Sequence, residues 1–193
     1  PRECGADREK ERGFCGTDSR IRIARAAKHM WEEPVISGRN GSGTIFFSGC
    51  ALACEFCQNS VLSHENYGAV ITPARLYDIM FELKKQGAVN INLVTADHYI
   101  PYIVPVLRHA RLDGLGLPVV FNTSSYLKLC ALEQLNDTVD IYLADLKFSS
   151  TAAAMKYCSA PDYPQVARAA IKQMVKKVGR PIIRGGIMQR GVI

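Results

Sequence analysis

No apolar run in the chain approaches the ~20 residues needed to span a bilayer. The first residues, Pro1–Arg12, are charged and lack the apolar centre of a secretory signal. There is no internal repeat and no low-complexity segment. No glycine-rich turn of the dinucleotide-binding type follows a strand-like run, and the phosphate-binding P-loop pattern is missing too. A disulfide framework is a poor reading, because seven cysteines is an odd number and 193 residues are enough to bury a core without bridges. The expectation is one domain in a reducing compartment, the cytoplasm, with no membrane contact. A formal charge of +6 raises the question of nucleic acid, but the basic residues are scattered and form no nucleic-acid motif. An acidic protein or an anionic cofactor suits that charge as well, and a solvated basic surface is its simplest account.

What the chain does have is Gly49-Cys50-Ala51-Leu52-Ala53-Cys54-Glu55-Phe56-Cys57-Gln58-Asn59, three cysteines spaced C-x3-C-x2-C after the apolar run Thr44–Phe47. A loop this short lets three thiolates face one point. A cubane iron–sulfur cluster has four iron corners and is usually held by four thiolates. Three would leave one iron open and reactive. Phe56 supplies an apolar wall beside the last cysteine. The competing reading is a structural zinc site with His64 as fourth ligand, although zinc sites more often pair C-x2-C twice and no second such pair exists here.

From Thr44 onward, strand-like runs at Thr44–Phe47, Val89–Val94, Pro118–Asn122, Val139–Ala144 and Pro181–Ile183 alternate with helical patterns. Thr72-Pro73 caps a helix near 73–86 with Leu76, Ile79, Met80 and Leu83 on one face. Others are expected from Pro101 to about Ala110, over Leu127–Leu135, and over Tyr163–Val178 with Ala167, Ala170, Ile171, Met174 and Val178 inward. Residues 21–36 read equally as strand or helix, with Pro34 ending either. Continuous apolar strands alternating with helices predict an α/β fold with a parallel sheet, doubly wound or part of a barrel.

Each strand-like run ends in polar residues. Run two ends in Thr95-Ala96-Asp97-His98, run three in Asn122-Thr123-Ser124-Ser125, run four in Asp145-Leu146-Lys147 and run five in Arg184-Gly185-Gly186. In a β/α barrel, chemistry sits at the C-terminal ends of the strands. These ends would form a rim of donors and acceptors facing the cysteine loop, suited to a zwitterionic, ribose-bearing cofactor. Cys130 and Cys158 are assigned to structure, and His29, His64 and His109 have no evident partner. Cys4 and Cys15 are either half of a second metal site or two free thiols, and their thiols are expected to be dispensable for chemistry at the loop.

The three-cysteine spacing, with an aromatic before the third cysteine, resembles the cluster motif of the radical S-adenosylmethionine (SAM) superfamily. With Trp31-Glu32-Glu33-Pro34, Ile36-Ser37-Gly38 and Gly41-Ser42-Gly43-Thr44-Ile45-Phe46-Phe47-Ser48-Gly49-Cys50 ahead of it, the chain looks like a branch related to the pyruvate formate-lyase activating enzyme. The resemblance implies a partial (β/α) barrel over residues 41–193, behind a cysteine-containing extension over residues 1–40, with further strands following Ile193 in the family. It implies a [4Fe-4S] cluster on Cys50, Cys54 and Cys57, whose open iron takes the amino and carboxylate groups of SAM. SAM contacts would come from Phe56, Thr95, Asp97, His98, Asn122, Ser124, Asp145, Lys147 and Arg184. Asp145-Leu146-Lys147 matches the family's Asp-x-Lys element, whereas Thr95-Ala96-Asp97-His98 stands where many activases have Gly-Gly-Glu. The activity implied is reductive cleavage of SAM to a 5′-deoxyadenosyl radical, fed by a low-potential donor such as flavodoxin or ferredoxin and directed at a glycyl-radical protein. Another protein or a small molecule as substrate, or a non-catalytic iron–sulfur or zinc protein, are the alternatives.

Overall fold

The computed structural model describes residues 1–193. In chain order the elements are β1 (Arg22–His29), α1 (Pro34–Ser37), β2 (Ser42–Phe47), α2 (Ser60–Ser63), β3 (Ala69–Val70), α3 (Pro73–Lys85), β4 (Ile91–Val94), α4 (Ile100–Leu112), β5 (Val119–Thr123), α5 (Leu129–Gln134), β6 (Ile141–Ala144), α6 (Thr151–Cys158), α7 (Tyr163–Val178), β7 (Ile182–Arg184) and β8 (Ile187–Val192). One 3₁₀ turn, Asp97–Tyr99, precedes α4. The fold is mixed α/β. Its eight strands form one open sheet in the order β3-β1-β2-β4-β5-β6-β8-β7. No helix is long and apolar enough to cross a membrane.

Strands β2, β4, β5, β6 and β8 are parallel neighbours in sequence order. A doubly wound sheet reverses direction at a switch point; these five never reverse, which removes the doubly wound alternative. The expected fifth strand, Pro181–Ile183, takes a different place. Ile182–Arg184 is β7, an antiparallel edge strand on β8, and β8 is the strand that pairs with β6. The Gly185-Gly186 turn, with both residues at positive φ, folds the chain back in a tight hairpin. The ambiguous segment near Ile21 resolves as strand β1, antiparallel to both β2 and β3. Pro34 opens helix α1 instead of ending an element, because a proline at a first helical position loses no hydrogen bond.

Side chains alternate across each strand, so one face of the sheet meets the helices and the other does not. Ile45, Phe47, Ile91, Leu93, Val119, Phe121 and Tyr142 pack outward with α3, α4, α5 and α7 into the main core. Helix α3 buries Leu76, Ile79, Met80 and Leu83 as its spacing predicts, and the Thr72 hydroxyl accepts from the Arg75 amide at 3.1 Å to cap it. Helix α7 runs over the predicted residues and buries Ala167, Ala170, Met174 and Val178; Ile171 is half-buried.

The opposite face is divided in two. Near the strands' N-terminal ends, Ile36 of α1 packs with Val120, Ile141, Leu143 and Met188 in a small second core. Asn90 secures this plug by donating its side-chain amide to the Ile36 carbonyl at 2.8 Å. Near the C-terminal ends the same face is open. Ile36 is fully buried, so Ile36→Ala should lower unfolding stability by about 2–5 kcal/mol. Urea unfolding followed by circular dichroism measures this, and a loss below about 0.5 kcal/mol would show that α1 does not plug the sheet.

Candidate metal centre

The open part of that face is a cavity of about 750 Å³, within the usual range for a ligand site. Cys50, Cys54 and Cys57 all line it. Their loop follows β2 directly, and its entry is shaped by Gly49, whose φ of +84° suits glycine. A side chain there would also collide with Thr17 and come within 2.5 Å of the Cys15 carbonyl. Ala53, between the first two cysteines, likewise takes a left-handed backbone. The Leu52 amide points at the Cys50 sulfur at 3.4 Å, and Cys57 Sγ lies 3.1 Å from Ser63 Oγ. Phe56 packs edge-on against Phe148 and Tyr157, with ring centroids 5.8 and 6.1 Å away. That aromatic group forms the apolar wall beside the third cysteine.

Burial dominates the electrostatics. It pushes the Cys50 thiol up to about 11, against the smaller pull of the Leu52 and Ala53 amides. Burial, followed by the neighbouring Cys158 thiol, pushes Cys54 up to about 12. A metal centre's positive charge reverses this logic by deprotonating the thiols that bind it.

Most of the predicted rim converges on the same cavity. Phe56, Thr95, Asn122, Ser124, Asp145 and Lys147 line it with the cysteines. Lys147 Nζ lies 2.6 Å from Asp145 Oδ2. Burial pulls the Lys147 ammonium down, but Asp145 and the Cys54 and Cys50 thiols outweigh it and its pKa is raised overall. A buried tyrosine joins the strand ends: the Tyr163 hydroxyl accepts from the Lys147 amide at 2.8 Å and donates to the Ser124 carbonyl at 2.8 Å. Thr95 has φ +58°, strained for a β-branched residue, and Ser125 has φ +61°. Strain of this kind gathers at functional rims.

Three predicted contacts fall elsewhere. Asp97 does not line the cavity; it accepts from the Thr123 hydroxyl, and burial raises its carboxyl to about 6. The His98 ring faces away and donates Nε2–H to the Ser48 carbonyl at 2.9 Å. Its Nδ1 is enclosed without a partner, and burial lowers its pKa to about 4. Arg184 ends β7, and β7 runs antiparallel to β8, so Arg184 lies at the end of the sheet opposite the cysteines.

Sequence reasoning missed the cavity's far wall. Arg25, His29, Glu32 and Phe46 line it. His29 stands edge-on to Phe46 at 6.0 Å, and Glu32 accepts from Asn92 Nδ2 at 3.0 Å. Arg25 and His29, four apart, share a face in a strand and in a helix alike, and only the pairing of β1 with β2 shows that this face meets the cavity. Cys4 and Cys15 do not line the cavity; both sulfurs lie beside Gly13. Cys158 is buried beside Cys54, whereas Cys130 is exposed, contrary to the buried place expected for it. His64 caps α2 and is no part of the cavity.

A loop of three cysteines, Cys54 buried and Cys50 and Cys57 half-buried, stands beside an aromatic wall and suits an iron–sulfur cluster. Residues 36–158, well over half of the chain, match the family described as a 4Fe-4S single cluster domain, and the chain belongs to that family. It is also 31% identical over 167 residues to an uncharacterized protein of Methanocaldococcus jannaschii, covering 83% of this chain and 48% of the relative. The chain thus spans about half the length of that relative. The donor set fits such a cluster, since soft thiolates are its ordinary ligands. Nowhere do three His, Cys, Asp or Glu side chains gather at the spacing a single ion needs. Thiolates on a cubane stand at separate corners and do not have to meet at one point. His64, the fourth ligand expected in the zinc reading, does not line the cavity.

Replacing Cys50, Cys54 or Cys57 by Ala should abolish the cluster, because two thiolates do not hold it. Iron content after anaerobic reconstitution is the measure, and a full cluster in two of the three variants would overturn the assignment. His98 carries a pH prediction. Its folded pKa of about 4 lies below the ordinary 6.5, so its neutral form contributes stability above pH 6.5 that is lost as pH falls towards 4. His98→Gln should flatten the acid side of a plot of urea midpoint against pH; an unchanged slope between pH 6.5 and 4 would contradict the buried neutral ring.

Proposed function

We propose that the chain is the catalytic part of a radical SAM enzyme related to the pyruvate formate-lyase activating enzyme. The observation that carries this reading is the joining, in one cavity, of three thiols with Thr95, Asn122, Ser124, Asp145 and Lys147. Three thiolates leave one iron corner for a substrate-derived ligand, and the polar residues around it suit the amino, carboxylate and ribose groups of SAM. Five parallel strands in sequence order, flanked by the antiparallel strands β1 and β7, suit part of a (β/α) barrel with its chemistry at the C-terminal ends. In this reading residues 41–193 are the partial barrel and residues 1–40 its extension.

A [4Fe-4S] cluster held by Cys50, Cys54 and Cys57 would supply the one electron that reductive cleavage of SAM requires. The chain's own residues bind and orient. Lys147 offers a cation to the SAM carboxylate, and Asp145 both holds Lys147 and accepts from donor groups of SAM. Asn122 and Ser124 present an amide and a hydroxyl from the next strand end. Phe56, with Phe148 and Tyr157 behind it, keeps water from the third thiolate. The substrate in this reading is a glycyl-radical protein, following the resemblance. The electron donor is a small acidic protein of the flavodoxin or ferredoxin kind, drawn by a surface of net charge +6.

Lys147→Ala should leave the cluster intact and weaken SAM binding roughly ten- to a hundred-fold, the size of one charge-assisted hydrogen bond. Titrating SAM into the reduced protein while following its paramagnetic spectrum measures the affinity. Unchanged binding in both Asp145→Ala and Lys147→Ala would remove the pair from the site. Failure of the reduced, reconstituted protein to form 5′-deoxyadenosine from SAM would overturn the reading as a whole.

A further inference from the structure

The extension ahead of β1 grips the cysteine loop through one side chain. Arg2 Nε donates to the Ala51 carbonyl at 2.8 Å, and one terminal nitrogen donates to the Leu52 carbonyl at 3.1 Å and the Cys158 carbonyl at 2.6 Å. The other terminal nitrogen donates to the Ser159 carbonyl. Ala51 and Leu52 lie between the first two cysteines of the loop; Cys158 and Ser159 are at the C-terminal end of α6. The guanidinium also lies over the Phe14 ring, 4.1 Å from its centroid, and 5.4 Å from that of Tyr126. A cation on the last carbonyls of a helix meets the negative end of its dipole.

Two main-chain bonds run alongside. The Cys50 amide donates to the Cys15 carbonyl at 3.1 Å, and the Glu55 amide to the Tyr157 carbonyl at 3.0 Å. The loop is therefore tied on one side to the extension and on the other to α6, and Arg2 is the one side chain bonded to both the loop and the helix end. A planar fork of fixed donors can serve four carbonyls at once; an ammonium is a point donor and cannot.

We propose that Arg2 is a positioning residue of the cluster, holding the Ala51-Leu52 turn against the end of α6 and so fixing Cys50 relative to Cys54. The proposal rests on the cluster assignment for those cysteines. It needs neither SAM nor any substrate.

The experiment uses the full chain, reconstituted anaerobically, as the parent and as Arg2→Ala, Arg2→Lys and Lys10→Ala. Lys10 pairs only with Asp7 on the surface and serves as the control. Iron release to a ferrous chelator should be faster on the order of tenfold in Arg2→Ala, as expected for the loss of charge-assisted hydrogen bonds. Arg2→Lys should recover little of this, and the paramagnetic spectrum of the reduced cluster should change in both. Lys10→Ala should match the parent. Release rates and spectra within twofold of the parent in folded Arg2→Ala would overturn the proposal, as would full rescue by Arg2→Lys. Should Arg2→Ala not fold, Arg2→Lys decides alone: parent-like release overturns the proposal and faster release supports it. Should the parent take up no iron, the cluster assignment falls, and amide hydrogen exchange at residues 51–53 of the metal-free chain decides for Arg2. Faster exchange in Arg2→Lys supports the clamp, and equal exchange overturns it.

Discussion

Sulfur buried without a counter-charge stays protonated, and the rest of the site answers to that constraint. Cys50 and Cys54 sit where burial holds their thiols near 11 and 12. In such a place thiolate forms only together with a cationic centre. The burial that holds Cys50 and Cys54 protonated favours a group that brings its own positive charge. It also requires a backbone held from outside, because protonated thiols do not attract one another. The bonds from Arg2, from the Cys15 carbonyl and from the Tyr157 carbonyl supply that hold.

The sheet gives this loop a floor and a rim by one device, the alternation of side chains along a strand. In β4 and β5, Ile91, Leu93, Val119 and Phe121 face the helices. The residues between them face inward, where Val120 meets the α1 plug and Val94 and Asn122 meet the cavity. The plug closes the lower half of the inner face, so the cavity lies towards the strands' C-terminal ends. There the Tyr163 hydroxyl bridges the ends of β5 and β6, which fixes the Asp145–Lys147 pair against Ser124.

Much of this was legible in the residues. The cysteine spacing, the parallel strands β2, β4, β5 and β6, the caps and faces of α3 and α7, and the inward pair Asp145 and Lys147 follow from local pattern and period. One failure arises because strand direction is a tertiary property. Ile182–Arg184 reads as another apolar strand, but only the hairpin to β8 shows that it runs the wrong way. Arg184 is therefore carried to the far end. Arg25 and His29 were invisible as wall residues because Ile21–Met30 satisfies both strand and helix periods, and pairing with β2 decides between them. Helix α6, Thr151–Cys158, went unnoticed because three alanines give propensity without an apolar stripe. Its useful signal was Ser150, whose hydroxyl accepts from the Ala153 amide at 3.4 Å.

The extension shows why thiol count is an incomplete guide to what a segment does for a metal site. Cys4 and Cys15 drew attention as ligands, yet neither sulfur lines the cavity. What reaches the loop from this segment is backbone and cation: the Cys15 carbonyl on the Cys50 amide, and the Arg2 fork on the turn that follows. Arg8 repeats the arrangement one layer back, donating to the His98 carbonyl and, at 3.0 Å, to the Thr17 hydroxyl, with Tyr99 and Tyr102 beneath it. Thr17 is also the residue a side chain at Gly49 would strike. The glycine ahead of the first cysteine is thus needed twice, for its own φ and for the close seating of the extension. A segment docked this way contributes to the centre without contributing a ligand.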